Sequence, residues 1–302
     1  MDTEKKNKLH LLWGKITLST DDEVILWKKN AGNSSGKQGK LWIILNLKIV
    51  LKERKHVNQI TVTGMVISAS PIGEYDRRVV ILTKERGKIA AFARGARRSN
   101  SALLGMTSPF SFGEFVVYEG RTSYTLVSAS ISNYFSELRM DVEGAYYGFY
   151  FLEIANYYAK EANDETVTLK LLYQTLRALV NLKIPNKLIR YIFELKMITI
   201  NGEGPQMQEC VCCSKKGPWN VFSVMRGGTV CSECLDKVLD GLELLPSTLY
   251  TIQYIVSCPV EKLYNFIVKE EVLIELAKVV SRYMAEYNGK NFKSLEILET
   301  IV

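Results

Sequence analysis

The pattern of apolar and polar positions changes character twice along the chain. Through residues 1–56 no amphipathic period lasts more than a few positions. Turn formers crowd Asn30 to Gly39, and Lys52 to His56 is almost wholly charged. From Ile60 the period becomes two. Thr61, Thr63, Met65 and Ile67 interleave with Val62, Gly64, Val66 and Ser68, with many β-branched side chains, which predicts a strand. A turn is expected over Pro71 to Asp76, then a strand over Val79 to Thr83. Glu85-Arg86-Gly87-Lys88 suits a hairpin, because glycine takes a positive φ at little cost, and Ile89 to Ala93 follows as the return strand. Phe115 to Tyr118 and Tyr124 to Ser128 complete a set of short strands. Five strands within some 75 residues predict a small closed barrel, of OB type or, by strand count alone, SH3-like.

Beyond Glu137 the period shifts to three and four. Ala145, Phe149, Leu152, Ala155 and Tyr158 form one predicted helix face. Leu169, Leu172, Leu176 and Leu179 form a second, and Leu188, Ile192, Leu195 and Ile198 a third, with Pro185 at the reversal between them. Two more helices are expected near Ser247 to Ser257 and Val272 to Tyr287. The fold class is therefore α+β and multidomain. An OB-type barrel over 57–137 precedes a helical domain over 138–302, which carries a cysteine module at 205–236.

That module holds the clearest chemistry. Cys210-x2-Cys213 and Cys231-x2-Cys234, with 17 residues between the pairs, have the spacing of a four-thiolate zinc site. Each two-residue knuckle turns both its sulfurs toward one ion, and tetrahedral zinc accepts two knuckles. Gly227-Gly228 would help the second turn. Cys212 stands too close to Cys210 for a regular knuckle, and Cys258, in a helical stretch, reads as a small buried residue. Four protein thiolates leave no open position for water, so the site is expected to be structural. Spacing alone does not separate zinc from iron.

Charge adds a second constellation. The chain carries a formal +7. Between Val57 and Glu137, nine Lys and Arg face six carboxylates, a formal +3. Arg94, Arg97 and Arg98 follow a strand, where a loop can offer three planar forks to phosphate oxygens, and Lys84, Arg86 and Lys88 occupy the neighbouring hairpin. Phe92, Phe110, Phe112, Tyr118 and Tyr124 are available for base stacking, although a small barrel needs most such side chains in its core.

Other chemistry has little to work with. The two histidines, His10 and His56, precede the body, and no phosphate-cradling glycine loop, nucleophile elbow or HExxH run is present. The protein is therefore expected not to be an enzyme. No apolar run is long enough to span a bilayer, and the start lacks the features of a signal peptide, which predicts a cytoplasmic, nucleoid-associated protein. Residues 1–56 read as a poorly ordered tail or as translated leader. Lys52-Glu53-Arg54 can be encoded by a purine-rich, ribosome-binding sequence, and Val57 by a GTG start codon.

The order of these features resembles the RecO family. The carrying residues are Thr63-Gly64-Met65-Val66-Ile67, then Leu82 to Ile89 across the hairpin, Ala93-Arg94-Gly95-Ala96-Arg97-Arg98, and Pro109-Phe110. Far downstream come the two cysteine pairs with Gly227-Gly228, and Lys293-Ser294-Leu295 near the end. The match spans about residues 59 to 298, and the first 56 residues depart from it. The resemblance implies a recombination mediator that binds single- and double-stranded DNA, anneals complementary strands, and docks the acidic C-terminal tail of single-strand-binding protein (SSB). With RecR, it helps load RecA onto SSB-coated DNA; whether RecF takes part stays open. Arg282, Lys290 and Lys293 are the candidate cations for the SSB tail. A protein-interaction scaffold with no DNA role, or a zinc enzyme, would fit the same residues without the resemblance.

Overall fold

The computed structural model describes residues 59–301 and, from the segment before them, the backbone of two short paired strands, Thr17–Leu18 and Val24–Ile25. Apart from these four positions, the reading of residues 1–56 as a leader lies outside the described residues.

The body opens with a closed barrel of β1 (Gln59–Ile72), β2 (Asp76–Thr83), β3 (Gly87–Ala93), β4 (Phe112–Glu119) and β5 (Tyr124–Asn133), in the order β1-β2-β3-β5-β4. A meander would pair each strand with its sequence neighbours alone. Here β3 skips to β5 and pairs with it in parallel, Ala91 with Tyr124 and Phe92 with Thr125, which is the Greek-key closure of an OB barrel. β1 is long enough to serve two neighbours. Gln59 to Met65 pair with β4, and Gly64 to Ile72 pair with β2, in a ladder interrupted by a bulge between Val66 and Ser68. Gly64 lies in both ladders, where a Cβ would meet the Leu82 carbonyl oxygen. β1 runs on through Pro71 and Ile72, into the span expected as turn, where β2 alone flanks it and it is an edge strand that can admit proline.

Six helices follow: α1 (Val142–Tyr158), α2 (Thr166–Asn181), α3 (Asn186–Ile200), α4 (Pro246–Ser257), α5 (Glu270–Asn288) and α6 (Lys293–Ile301). The predicted faces of α2 and α3 are buried as expected. For α1 the phase differs: Phe149 is 45% exposed, while Tyr147, Tyr150, Phe151 and Ile154 are buried. α1 packs on β1, α2, α3 and α6, so it has no single inner face. α6 was not foreseen from the periodicity, which ends at Tyr287.

The barrel's interior is closed by Val62, Val66, Val79, Ile81, Phe115 and Val117. Its outer side joins the helices. Met65, Ile67, Leu82 and Phe110 share one buried cluster with Tyr147, Phe151 and Leu172. Phe110 lies against α1 at Gly148, where a Cβ would meet the phenyl ring. The cysteine module, with β6 (Val221–Ser223), β7 (Gly228–Val230) and β8 (Leu242–Glu243), sits between α3 and α4 in the sequence. Among the described residues no helix is long and apolar enough to cross a membrane.

Candidate nucleic-acid interface and metal centre

The predicted cations fall into two groups at opposite ends of β3. Its seven residues span roughly 20 Å at strand rise.

At the near end, the β2–β3 hairpin lies against the segment joining α1 to α2. Lys88 N–H donates to the Lys160 carbonyl at 2.9 Å, and Ala162 N–H donates to the Arg86 carbonyl at 3.2 Å. The Lys88 ammonium donates to the Asn156 carbonyl at 2.6 Å. Burial lowers its pKa, against the opposing pull of Glu161 and Glu165. Arg86 pairs with Glu119 at 3.6 Å. Lys84 is exposed and lines an open cleft with Arg86 and Asp164.

At the far end, β3 runs into a loop that turns at Gly95, φ 65°, and carries Arg94, Arg97 and Arg98, all exposed. The loop is tied to the β1–β2 turn. Gly95 N–H donates to the Asp76 carboxylate at 2.7 Å, Arg97 N–H to the Tyr75 carbonyl at 2.9 Å, and the Arg97 guanidinium to the Gly73 carbonyl at 3.1 Å. Arg98 lies over the Tyr75 ring, 5.0 Å from its centroid. Arg77 and Arg78 open β2 beside them. Arg77 donates to Thr107 and the Leu104 carbonyl, fixing the loop that follows, whereas Arg78 is exposed. Among the described residues no carboxylate lies within 4.0 Å of Arg78, Arg94, Arg97 or Arg98. These heads remain open to an anion. They border the β2–β3 face and β1–β2 loop, which OB folds use for oligonucleotides. Charge pattern had pointed to the loop; Arg78 has no sequence signal that separates it from an ordinary strand-edge cation.

The aromatic candidates divide. Phe110 is core, and Phe112 packs on Tyr173 with ring centroids 4.5 Å apart. Tyr118 and Tyr124 are half-buried, and Phe92 is 38% exposed. Of the C-terminal cations, Arg282 and Lys293 are exposed. Lys290 lines a cavity of about 400 Å³ with Arg190, and Glu194, Glu296 and Glu299 line it too.

The four cysteines converge. The sulfurs of Cys210, Cys213, Cys231 and Cys234 all lie within 4.8 Å of one another, and Cys213 Sγ is 3.6 Å from Cys231 Sγ. Disulfide sulfurs would stand about 2.05 Å apart. A tetrahedron with metal–sulfur bonds of 2.3 Å has edges of about 3.8 Å, so the arrangement fits a metal ion. The donor chemistry agrees. Burial raises the Cys210 thiol, but N–H donors from Cys231, Cys212 and Cys213 outweigh it and bring it down to about 6. Cys234 is pushed up to about 12 by burial and then by its sulfur neighbours. Thiols this close cannot all ionise together unless a cation takes up the charge. Cys212 stays outside the four-sulfur cluster, as its spacing implied, and Cys258 is buried just past the C-terminal end of α4. The module is held to α5 by Tyr283, which donates to the Glu203 carbonyl, and by Tyr287, which donates to the Val224 carbonyl.

Comparison with known proteins agrees with this architecture. The family model described as Recombination protein O N terminal matches residues 57–135, and Recombination protein O C terminal matches residues 139–296. A DNA repair protein RecO of Acetivibrio thermocellus is 32% identical over 247 residues, 81% of this chain and 98% of that protein. One from Alkaliphilus metalliredigens is 33% identical over 241 residues, covering 79% and 98%. One from Bacillus subtilis is 28% identical over 236 residues, covering 78% and 92%.

Proposed function

The chain belongs to the RecO family of DNA repair proteins, and on that premise we propose that it is a non-catalytic mediator of homologous recombination. It binds single- and double-stranded DNA on its barrel, anneals complementary strands, and helps load RecA onto SSB-coated DNA together with RecR. It acts in the cytoplasm, on the nucleoid. Zinc fills the four-cysteine centre, where it ties the module together and takes no part in a reaction.

The observation that carries this reading is the unpaired arginine edge of the barrel, formed by Arg94, Arg97, Arg98 and Arg78. Guanidinium groups on a rigid rim hold phosphate oxygens in any sequence, which is what strand annealing requires. Lys84 and Arg86 extend the basic surface toward the hairpin. Lys88 serves the seam with the helices.

The test is annealing of complementary oligonucleotides coated with cognate SSB, across a salt series. The wild-type protein accelerates annealing, and the gain fades as salt rises. The triple variant Arg94→Ala/Arg97→Ala/Arg98→Ala removes three phosphate contacts, so the slope of log affinity against log salt becomes shallower by about 2 for single strands. An unchanged slope would leave the arginines as surface charge and favour a scaffold that contacts acidic proteins only.

A further inference from the structure

We infer that Phe92 and Tyr75 are the groups that distinguish an unpaired strand from a duplex. This inference rests on the DNA-binding reading and deepens it. Arginines on the rim see phosphate, which both forms of DNA present. Bases in a duplex are stacked on one another and show only their edges, whereas unpaired bases offer faces on which an aromatic ring can pack.

The register of the barrel places an aromatic where it can do this. Directly opposed residues on neighbouring strands project to the same face of a sheet. Ser70 opposes Arg78, Arg78 opposes Phe92, Phe92 opposes Thr125, and Thr125 opposes Tyr118. The five residues follow one another around the outside of the closed barrel, and the part centred on Phe92, from Arg78 on β2 to Thr125 on β5, spans about 10 Å at ordinary strand spacing. No residue in the row is acidic. Phe92 sits at its middle, 38% exposed, between the buried Ala91 and Ala93, with Arg78 beside it on the adjoining strand. A lone exposed phenylalanine would be unremarkable on any surface. Here it has an unpaired guanidinium one strand away and a basic loop two residues ahead.

Tyr75 continues the same end of the barrel. It lies in the turn between β1 and β2, 45% exposed, with the Arg98 guanidinium over its ring. Its carbonyl accepts the Arg97 N–H, so ring, loop and turn are held as one unit. Two acidic residues flank Tyr75 in the sequence: the Asp76 carboxylate is engaged by Gly95 N–H, and the Glu74 carboxylate lies at the Tyr75 hydroxyl, on the ring's edge and not its face. A base stacked against this end therefore meets a ring and a cation together, an arrangement that attracts π-faces of any sequence.

The experiment compares a fluorescent single strand with a duplex of equal length and sequence, by anisotropy at one fixed salt concentration. Phe92→Ala should lower single-strand affinity by about 10-fold, as loss of one stacked base does, and leave duplex affinity unchanged; Tyr75→Ala, which also frees Arg98, should lower single-strand affinity by more than it lowers duplex affinity. Phe92→Leu keeps the apolar volume and the fold but has no ring, so it should lose single-strand affinity as the alanine variant does. Phe92→Trp should restore it. Equal losses for both forms of DNA, or full single-strand affinity in Phe92→Leu, would overturn the inference. A wild-type protein that binds neither form would sink the DNA-binding reading itself, a different result from a wild type that binds both and variants that do not discriminate.

Discussion

At the scale of single residues, the helical half contains a charge that burial alone would forbid. Glu194, on α3, is fully buried, and its carboxylate accepts from Arg190 at 2.7 Å and from the Tyr150 hydroxyl at 2.6 Å. Burial raises its pKa, and Arg190 is the chief opposing influence. Arg190 also reaches Glu299 on α6 at 3.4 Å, so one guanidinium links α1, α3 and α6. Removing Arg190 leaves Glu194 buried without a counter-charge. Arg190→Met should therefore cost about 3–5 kcal/mol, read as a shift in the urea midpoint. The double change Arg190→Met/Glu194→Leu should recover most of that loss, since two apolar side chains leave no charge behind. A double variant as unstable as the single one would show that packing, not charge, sets the cost. None of this was legible in the sequence. Arg190 and Glu194 stand four apart on a helix, as countless surface pairs do, and only the neighbouring helices make the pair internal.

At the scale of elements, legibility followed how many sides an element buries. The barrel strands were readable because alternate positions face a single core. Their ends were not: Pro71 and Ile72 extend β1 because β2 reaches them, a matter of pairing rather than composition. α1 misled because it is covered on several sides, so Phe149 fell on the predicted inner face yet is exposed. The cysteine module was legible from spacing alone, since its geometry is set by four sulfurs and not by a large core. Its apolar interior is correspondingly small, with Val230 the one fully buried aliphatic beside three buried cysteines and a partly buried Trp219. An ion in the four-cysteine centre would supply much of the stability of so small a module; zinc-finger peptides draw roughly 10–16 kcal/mol from theirs. A chelator at neutral pH should open 205–243 to limited proteolysis while single-strand binding by the barrel persists. A chelated protein whose module still resists the protease would mean that the thiolates are not structural.

At the scale of the whole molecule, the barrel keeps an interior of its own while its outer side shares a second, larger one with the helices. Met65, Ile67 and Leu82 leave the barrel strands to join the cluster formed by α1, α2 and α3, and Phe110 and Phe135 fill the junction. Both phenylalanines hold left-handed backbone, φ 72° and 47°, a strain of order 1–3 kcal/mol that persists because the packing over-determines it. The body should therefore unfold in one transition. Leu82→Ala, a change in a barrel strand, should cost about 2–5 kcal/mol and lower the hydrogen-exchange protection of α1 as much as that of β2. Separate transitions for strands and helices would contradict this. The period change near Glu137 marks the passage from the barrel to the helices, but periodicity reports what each segment buries and not against which partner.

The seam at the β2–β3 hairpin has a mechanical meaning. Two backbone hydrogen bonds, flanking an antiparallel bridge between Gly87 and Glu161, and the Lys88 ammonium tie the hairpin to 160–162 and Asn156. Tension applied through a strand of DNA lying across β2 and β3 would load these bonds in parallel, so they must yield together instead of peeling one by one. On the proposed DNA-binding reading, a strand held on the barrel would be handed over by exchange of its phosphate contacts for ions or for another protein's cations, with the hairpin still fastened to the helices.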